Sequence, residues 1–223
     1  MVYLYIVKNL YIEKIRSFMN ILLILGHPNQ ESFCNALLEQ YAQGAAQNQA
    51  KVQVLRLGNL EFNPISQGYG KPLLLEPDLI KAQQQITWAD HLVFVYPTWW
   101  GSTPALLQGF IDRTFLPGFA FKYKKDSIWW DRLLTGKSAR IITTMDGTSW
   151  WHYLMHFAPG INALKRAVLH FCGVKTVKTT IIEEIRSSSL EKRQKYLEAI
   201  KNLGSRDARN SVQRRANQAS IRT

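Results

Sequence analysis

Three short stretches of this 223-residue chain concentrate the residue types that bind and orient ligands. The first, Gly26-His27-Pro28-Asn29-Gln30-Glu31-Ser32-Phe33, closes an apolar run and opens a helical pattern. A helix start offers unpaired N–H groups and the positive end of its dipole, which favour an anion. Ser32 reads equally well as the helix N-cap or as a hydroxyl ligand to a phosphate, with His27 and Asn29 as further donors. The second, Pro97-Thr98-Trp99-Trp100-Gly101-Ser102-Thr103-Pro104, sets two indoles beside a glycine that admits a planar ligand or another backbone at close range. The third, Met145-Asp146-Gly147-Thr148-Ser149-Trp150-Trp151-His152, repeats the paired indoles after a small turn. Four of the seven tryptophans therefore fall in two loops. They suit a flat heteroaromatic ligand held by offset stacking; the competing reading is packing against the following helix or a second subunit.

Other catalytic patterns are missing. There is no G-x-G-x-x-G after the first apolar run, no G-x-x-x-x-G-K-[ST], no G-x-S-x-G and no H-E-x-x-H. His27, His91, His152, His156 and His170 lack metal-ligand spacing, so no metal site is expected. Cys34 and Cys172 stand far apart and read as buried, unreactive thiols in a reducing, cytoplasmic compartment. No residue is singled out as a catalytic acid, base or nucleophile. A chain without hard chemistry of its own points to an organic cofactor.

The elements that must hold the three loops follow from apolar runs and periodicity. Strands are expected at 20–25, 52–57, 91–96, 140–144 and 174–182, and helices at 32–48, 77–88, 104–115, 160–171 and 190–203. Alternation at this spacing predicts a parallel sheet covered on both faces, with ligands beyond the carboxyl ends of its strands. Residues 1–18 read as an N-terminal extension, 19–203 as one domain, and 204–223 as a basic, disordered tail with few apolar residues. The apolar start of the chain is broken by Lys8, Glu13, Lys14 and Arg16, too early for a membrane span.

Composition sets the outer limits. Apolar residues make up 46% and charged residues 20%, which excludes a disordered, fibrous or multi-span chain. The net charge is +12, of which +2 lies in residues 1–18 and +4 in residues 204–223, leaving +6 for the domain. Such a balance attracts anionic partners. Nucleic acid is not the expected one, because half of the excess sits outside the domain.

The stretches GHPNQESFCNAL, YPTWWGSTPALLQGFIDRTFLPGFAF, ITTMDGTSWW and LHFCG resemble the NAD(P)H:quinone oxidoreductase family, over about residues 19–200. The resemblance implies a flavodoxin-like α/β fold with a five-stranded sheet of order 2-1-3-4-5, a homodimer and a non-covalent flavin. His27, Ser32, Phe33 and Cys34 match the family's phosphate-side loop. Pro97, Thr98, Trp99, Trp100 and Gly101 match the segment lining the isoalloxazine, and Thr143, Thr144, Met145, Asp146 and Gly147 match the segment at its other edge. Phe121 and Tyr123 match aromatic positions that cover the substrate from the partner subunit, with Trp150 and Trp151 on the same side. Met145-Asp146 interrupts the family's glycine pattern. Trp151 stands where the mammalian enzymes have a tyrosine, and only His156 lies near their histidine position. The long C-terminal region of the FAD-binding members is missing, so FMN is expected rather than FAD. The implied reaction is ping-pong transfer of hydride from NAD(P)H through the flavin to a quinone or similar acceptor. The alternative is a flavin-bound ancillary subunit of a potassium efflux system.

Overall fold

A computed structural model describes residues 18–66, 68, 74–148, 150, 154 and 157–220. Five parallel strands form the central sheet: β1 (Asn20–Leu25), β2 (Lys51–Arg56), β3 (His91–Pro97), β6 (Ser138–Thr144) and β7 (Lys175–Ile182). Their spatial order is β2-β1-β3-β6-β7, so counting sheet strands alone gives the expected 2-1-3-4-5.

The continuous apolar runs exist because both faces are covered. Along β1, Ile21, Leu23 and Leu25 enter one core cluster while Leu22 and Ile24 enter the other. β3 divides in the same way, Val93 and Val95 against Leu92, Phe94 and Tyr96. Helices α1 (Phe33–Ala46) and α5 (Leu190–Ser220) contribute to the first cluster. Helices α2 (Pro77–Trp88) and α3 (Ala105–Thr114) contribute to the second. The chain thus leaves β1 toward one face and β3 toward the other, which opens a crevice beyond the ends of these neighbouring strands.

Three features differ from the sequence expectations. A two-stranded hairpin, β4 (Phe121–Tyr123) with β5 (Trp130–Arg132), stands apart from the sheet. The helix expected at 160–171 opens as α4 (Pro159–Asn162) and continues with π-helical winding over Ala163–His170. The i to i+5 repeat brings Leu164 and Leu169 to the same buried side.

The third difference concerns the last helix, which does not stop at 203. The helix runs on through the stretch read as a disordered tail, because residues beyond 203 have partners in the core. A Cβ on Gly204 would lie 2.2 Å from the Tyr41 carbonyl oxygen, and one on Gly44 would lie 1.8 Å from that of Lys201, so α1 and α5 touch backbone to backbone. Asp207 is buried against the sheet. Its carboxylate accepts from Tyr41 Oη at 2.8 Å, from Arg140 Nη2 at 2.7 Å and from Arg140 Nε, and His91 Nε2 lies 3.9 Å away. Among the described residues, no helix is long and apolar enough to cross a membrane.

Candidate functional site

Sheet order places the carboxyl ends of β1, β3 and β6 side by side. Leu25 pairs with Val95 and Pro97 with Thr144, so the loops after these strands emerge as neighbours. Two main-chain bonds join them: Gly26 N–H donates to Val95 O at 2.8 Å and Thr98 N–H to Thr144 O at 2.7 Å. Side chains add two more ties. Thr98 Oγ1 and Thr143 Oγ1 share a hydrogen bond of 2.8 Å, and Cys34 Sγ lies 3.4 Å from Thr144 Oγ1. Cys34, Thr143, Thr144 and Met145 are all buried, so these side chains brace the rim from inside.

The first loop is folded onto its own polar groups. Asn29 N–H donates to His27 Nδ1 at 2.9 Å and Glu31 N–H to Asn29 Oδ1 at 2.8 Å. Burial lowers the pKa of His27, which favours the neutral ring that can accept at Nδ1. Ser32 caps α1: Oγ accepts from Asn35 N–H at 3.3 Å. Phe33 and Cys34 begin the helix, where an N–H has no carbonyl one turn back within the helix, and no acidic side chain occupies that first turn. This end of α1 suits an anion. Gly58 keeps room for the loop, since a Cβ there would lie 2.3 Å from the Pro28 oxygen.

The second loop is a tight turn. Trp99 and Ser102 exchange main-chain hydrogen bonds of 3.0 and 2.9 Å around Trp100 and Gly101, whose φ angles are 51° and 73°. Two successive positive φ angles make this a type I′ turn, and the left-handed region costs a tryptophan about 1–2 kcal/mol. The Trp100 indole is fully exposed, so packing among the described residues does not offset that strain. Trp99 is 44% exposed and meets His27 edge to face, ring centroids 5.5 Å apart. Packing of Trp100 on the following helix is thereby excluded. The turn rests on α4: Gly160 N–H donates to Gly101 O at 3.3 Å, and a Cβ on Gly160 would lie 2.6 Å from Ser102 Cα.

The third loop is tied to the end of β7. Met145 N–H donates to Ile182 O at 2.9 Å, and Asp146 Oδ1 accepts from Arg186 N–H at 3.0 Å. A Cβ on Gly147 would meet nothing within 4 Å, so this part of the rim is open. Trp150 is 62% exposed; Trp151, His152 and His156 lie outside the described residues.

The two aromatic positions expected over the substrate differ in exposure. Tyr123 is 63% exposed. Phe121 is instead a core residue, packed edge-on to Phe171 at 5.0 Å, and Phe171 in turn stacks on Trp130 at 4.3 Å. Two residues apart on β4, the rings share one face and meet edge to face at 5.2 Å, with Phe121 on the core side of the pair and Tyr123 on the solvent side.

Arg193 and Gly160 were not foreseen. Arg193 donates to Ile185 O at 2.9 Å and to Ser188 Oγ at 3.0 Å, and its guanidinium lies 6.0 Å from the Phe33 ring centre. It links the loop after β7 to the start of α1. The only sequence signal was an arginine in the first turn of the last helix, which also describes a solvated surface residue.

Comparison with known proteins agrees with this fold. A family model described as flavodoxin-like fold matches residues 19–204. The solved Smu.1420 protein of Streptococcus mutans is 35% identical, with a TM-score of 0.74 over 84% of this chain and 100% of its own. An uncharacterized NAD(P)H oxidoreductase of Haemophilus influenzae is 29% identical over 75% of this chain and 85% of its own. Ribosyldihydronicotinamide dehydrogenase (quinone) of Mus musculus is 27% identical over 79% and 87%.

Proposed function

The chain belongs to the flavodoxin-like fold family, and from that premise we propose that it is a flavin-dependent NAD(P)H:quinone oxidoreductase that holds FMN and works as a homodimer. The observation that carries this reading is the strained, fully exposed Trp100 in the loop after β3, which follows a strand end paired with that of β6, where the rim is open at Gly147. Strain at an exposed aromatic is retained where a ligand or partner uses it. The names of the mouse and Haemophilus relatives support the same chemistry.

The residues fit a flavin mononucleotide. The start of α1, free of acidic side chains, suits its phosphate, with the Ser32 hydroxyl alongside. The main chain of Pro97, Thr98, Trp99, Trp100 and Gly101 suits one edge of a flat ring, and Thr143, Thr144, Met145, Asp146 and Gly147 the other. A bound flavin supplies hydride acceptance from a nicotinamide and two-electron delivery to a second acceptor.

This chain's residues supply position. The Thr98–Thr143 bond holds the loop after β3 against the end of β6, and the Cys34–Thr144 contact holds the start of α1 against it. Trp99, Trp100, Trp150 and Tyr123 present exposed rings that stack on planar donors and acceptors and exclude water. One place serves donor and acceptor in turn, which is the basis of a ping-pong order. A second copy of the chain covers Ile128 and Trp129, which one copy leaves 86% and 66% exposed.

The test is release of bound flavin by heat, its separation into FMN and FAD, and a paired assay of quinone reduction with NADH and NADPH. FMN together with turnover is expected. A protein that neither retains nor takes up FMN, or a yellow protein without turnover, overturns the reading.

A further inference from the structure

The approach to α4 carries a second strained, exposed aromatic residue. Phe157 and Ala158 follow one another with φ angles of 55° and 45°, a region that is costly for any residue but glycine. The kink is held from within the chain. Asn162 Nδ2 donates to Phe157 O at 2.5 Å and Asn162 N–H donates to Ala158 O at 3.0 Å. Pro159 takes the first helical position, where no N–H is needed. Ala158 is buried, whereas Phe157 is 77% exposed. These contacts account for the left-handed pair but not for the ring, since glycine or asparagine holds the same backbone at lower cost.

The kink is docked on the tryptophan turn. Gly160 N–H donates to Gly101 O at 3.3 Å, and a Cβ on Gly160 would lie 2.6 Å from Ser102 Cα. Trp100, the residue before Gly101, is itself left-handed and fully exposed. Two strained segments, each presenting an exposed aromatic side chain, therefore meet backbone to backbone at the rim. Retained strain of this kind gathers at ligand clamps.

We propose that Phe157 is a specificity-determining residue for the electron acceptor, meeting the part of a planar acceptor that extends past its reacting ring and so favouring two fused rings over one. The proposal rests on the oxidoreductase reading above and names which acceptors it takes. Position makes Phe157 an outer contact. The segment touches the turn at Gly101 and Ser102, beyond the end of β3 at Pro97, whereas the flavin ring is assigned to the strand ends themselves. Charge favours the acceptor over the nucleotide end of the donor. Residues 157–162, Phe-Ala-Pro-Gly-Ile-Asn, include no charged side chain to meet a pyrophosphate. What the segment offers is a face for stacking, and a second fused ring is the area that uses it.

The experiment compares menadione, with two fused rings, and duroquinone, with one, on the oxidised full chain. Quenching of tryptophan fluorescence gives Kd for each quinone, and NAD(P)H oxidation gives kcat/KM. The variants are Phe157→Gly and Phe157→Asn, which tolerate a positive φ and remove the ring, and Phe157→Tyr, which keeps it. The preference for menadione is expected to fall by about threefold to tenfold in the first two, the range for one lost stacked pair. Phe157→Tyr is expected to restore the parent preference. An unaltered preference in both ringless variants overturns the proposal. So does a loss confined to KM for NAD(P)H, which assigns the ring to the donor. If the protein reduces neither quinone, the assigned reaction fails, and the Kd preference alone still decides the role of Phe157.

Discussion

Cys34 Sγ lies 3.4 Å from Thr144 Oγ1, across 110 residues of sequence, and joins the first turn of α1 to the last residue of β6. Both side chains are buried, so the pair is a brace under the rim of the site. Burial pushes the Cys34 thiol up to about 11 and the Cys172 thiol up to about 12. Thiolate is the reactive form. Neither cysteine should therefore react with a disulfide reagent at pH 8 while the protein is folded, and both should react after denaturation. A fast-reacting thiol in the native protein would contradict the brace.

Trp100 separates stability from activity. Its φ of 51° is a conformation glycine adopts at no steric cost, and its indole is fully exposed. Trp100→Gly should leave the unfolding free energy unchanged or raise it by up to about 1–2 kcal/mol of relieved strain, read as an equal or higher melting temperature. The same variant should lose flavin retention or quinone turnover by about tenfold, since the stacking wall is gone. A drop in stability with unchanged turnover would make Trp100 a packing residue.

Ser32→Glu tests the phosphate end of the site. An acidic N-cap suits a helix dipole, so folding should survive the change. A carboxylate beside the proposed phosphate should nonetheless weaken FMN binding by at least tenfold, with a smaller loss for Ser32→Ala. Undiminished FMN content in Ser32→Glu, measured after dialysis, would remove the phosphate from this loop.

How far the sequence was readable depended on what each element packs against. β1 and β3 are buried on both faces, so their uninterrupted apolar runs marked them within one residue. The tryptophan loops stood out because exposed paired indoles are rare without a ligand or partner. The β4–β5 hairpin has strands of three residues, too short to show a period. The extension of α5 was hidden for a different reason. Its anchors are a glycine that admits a neighbouring backbone and an aspartate paired with Arg140, 67 residues away, and in sequence both look like a solvated tail.

That anchor gives the most demanding prediction. Burial raises the pKa of Asp207, but the hydrogen bonds and charge of Arg140, with His91 and Tyr41, outweigh it and hold the carboxyl below its usual range. A folded-state pKa below the unfolded value of about 3.9 means that the ion pair's contribution is fully present above pH 4. It is lost as pH falls further, through the folded-state value. Asp207→Asn should therefore be less stable than the parent at pH 7, yet lose less on going from pH 4.5 to pH 2.5. Asp207→Ala leaves the Arg140 guanidinium buried without its partner, at a cost of about 3–5 kcal/mol. Arg140→Met combined with Asp207→Leu should recover most of that loss, because no charge then remains buried. Truncation after residue 203 removes Asp207 and Ala208 together and should destabilise at least as much as Asp207→Ala, whereas truncation after residue 209 should keep the anchor. Equal melting temperatures for the two truncations would show that α5 beyond Gly204 contributes nothing to the core.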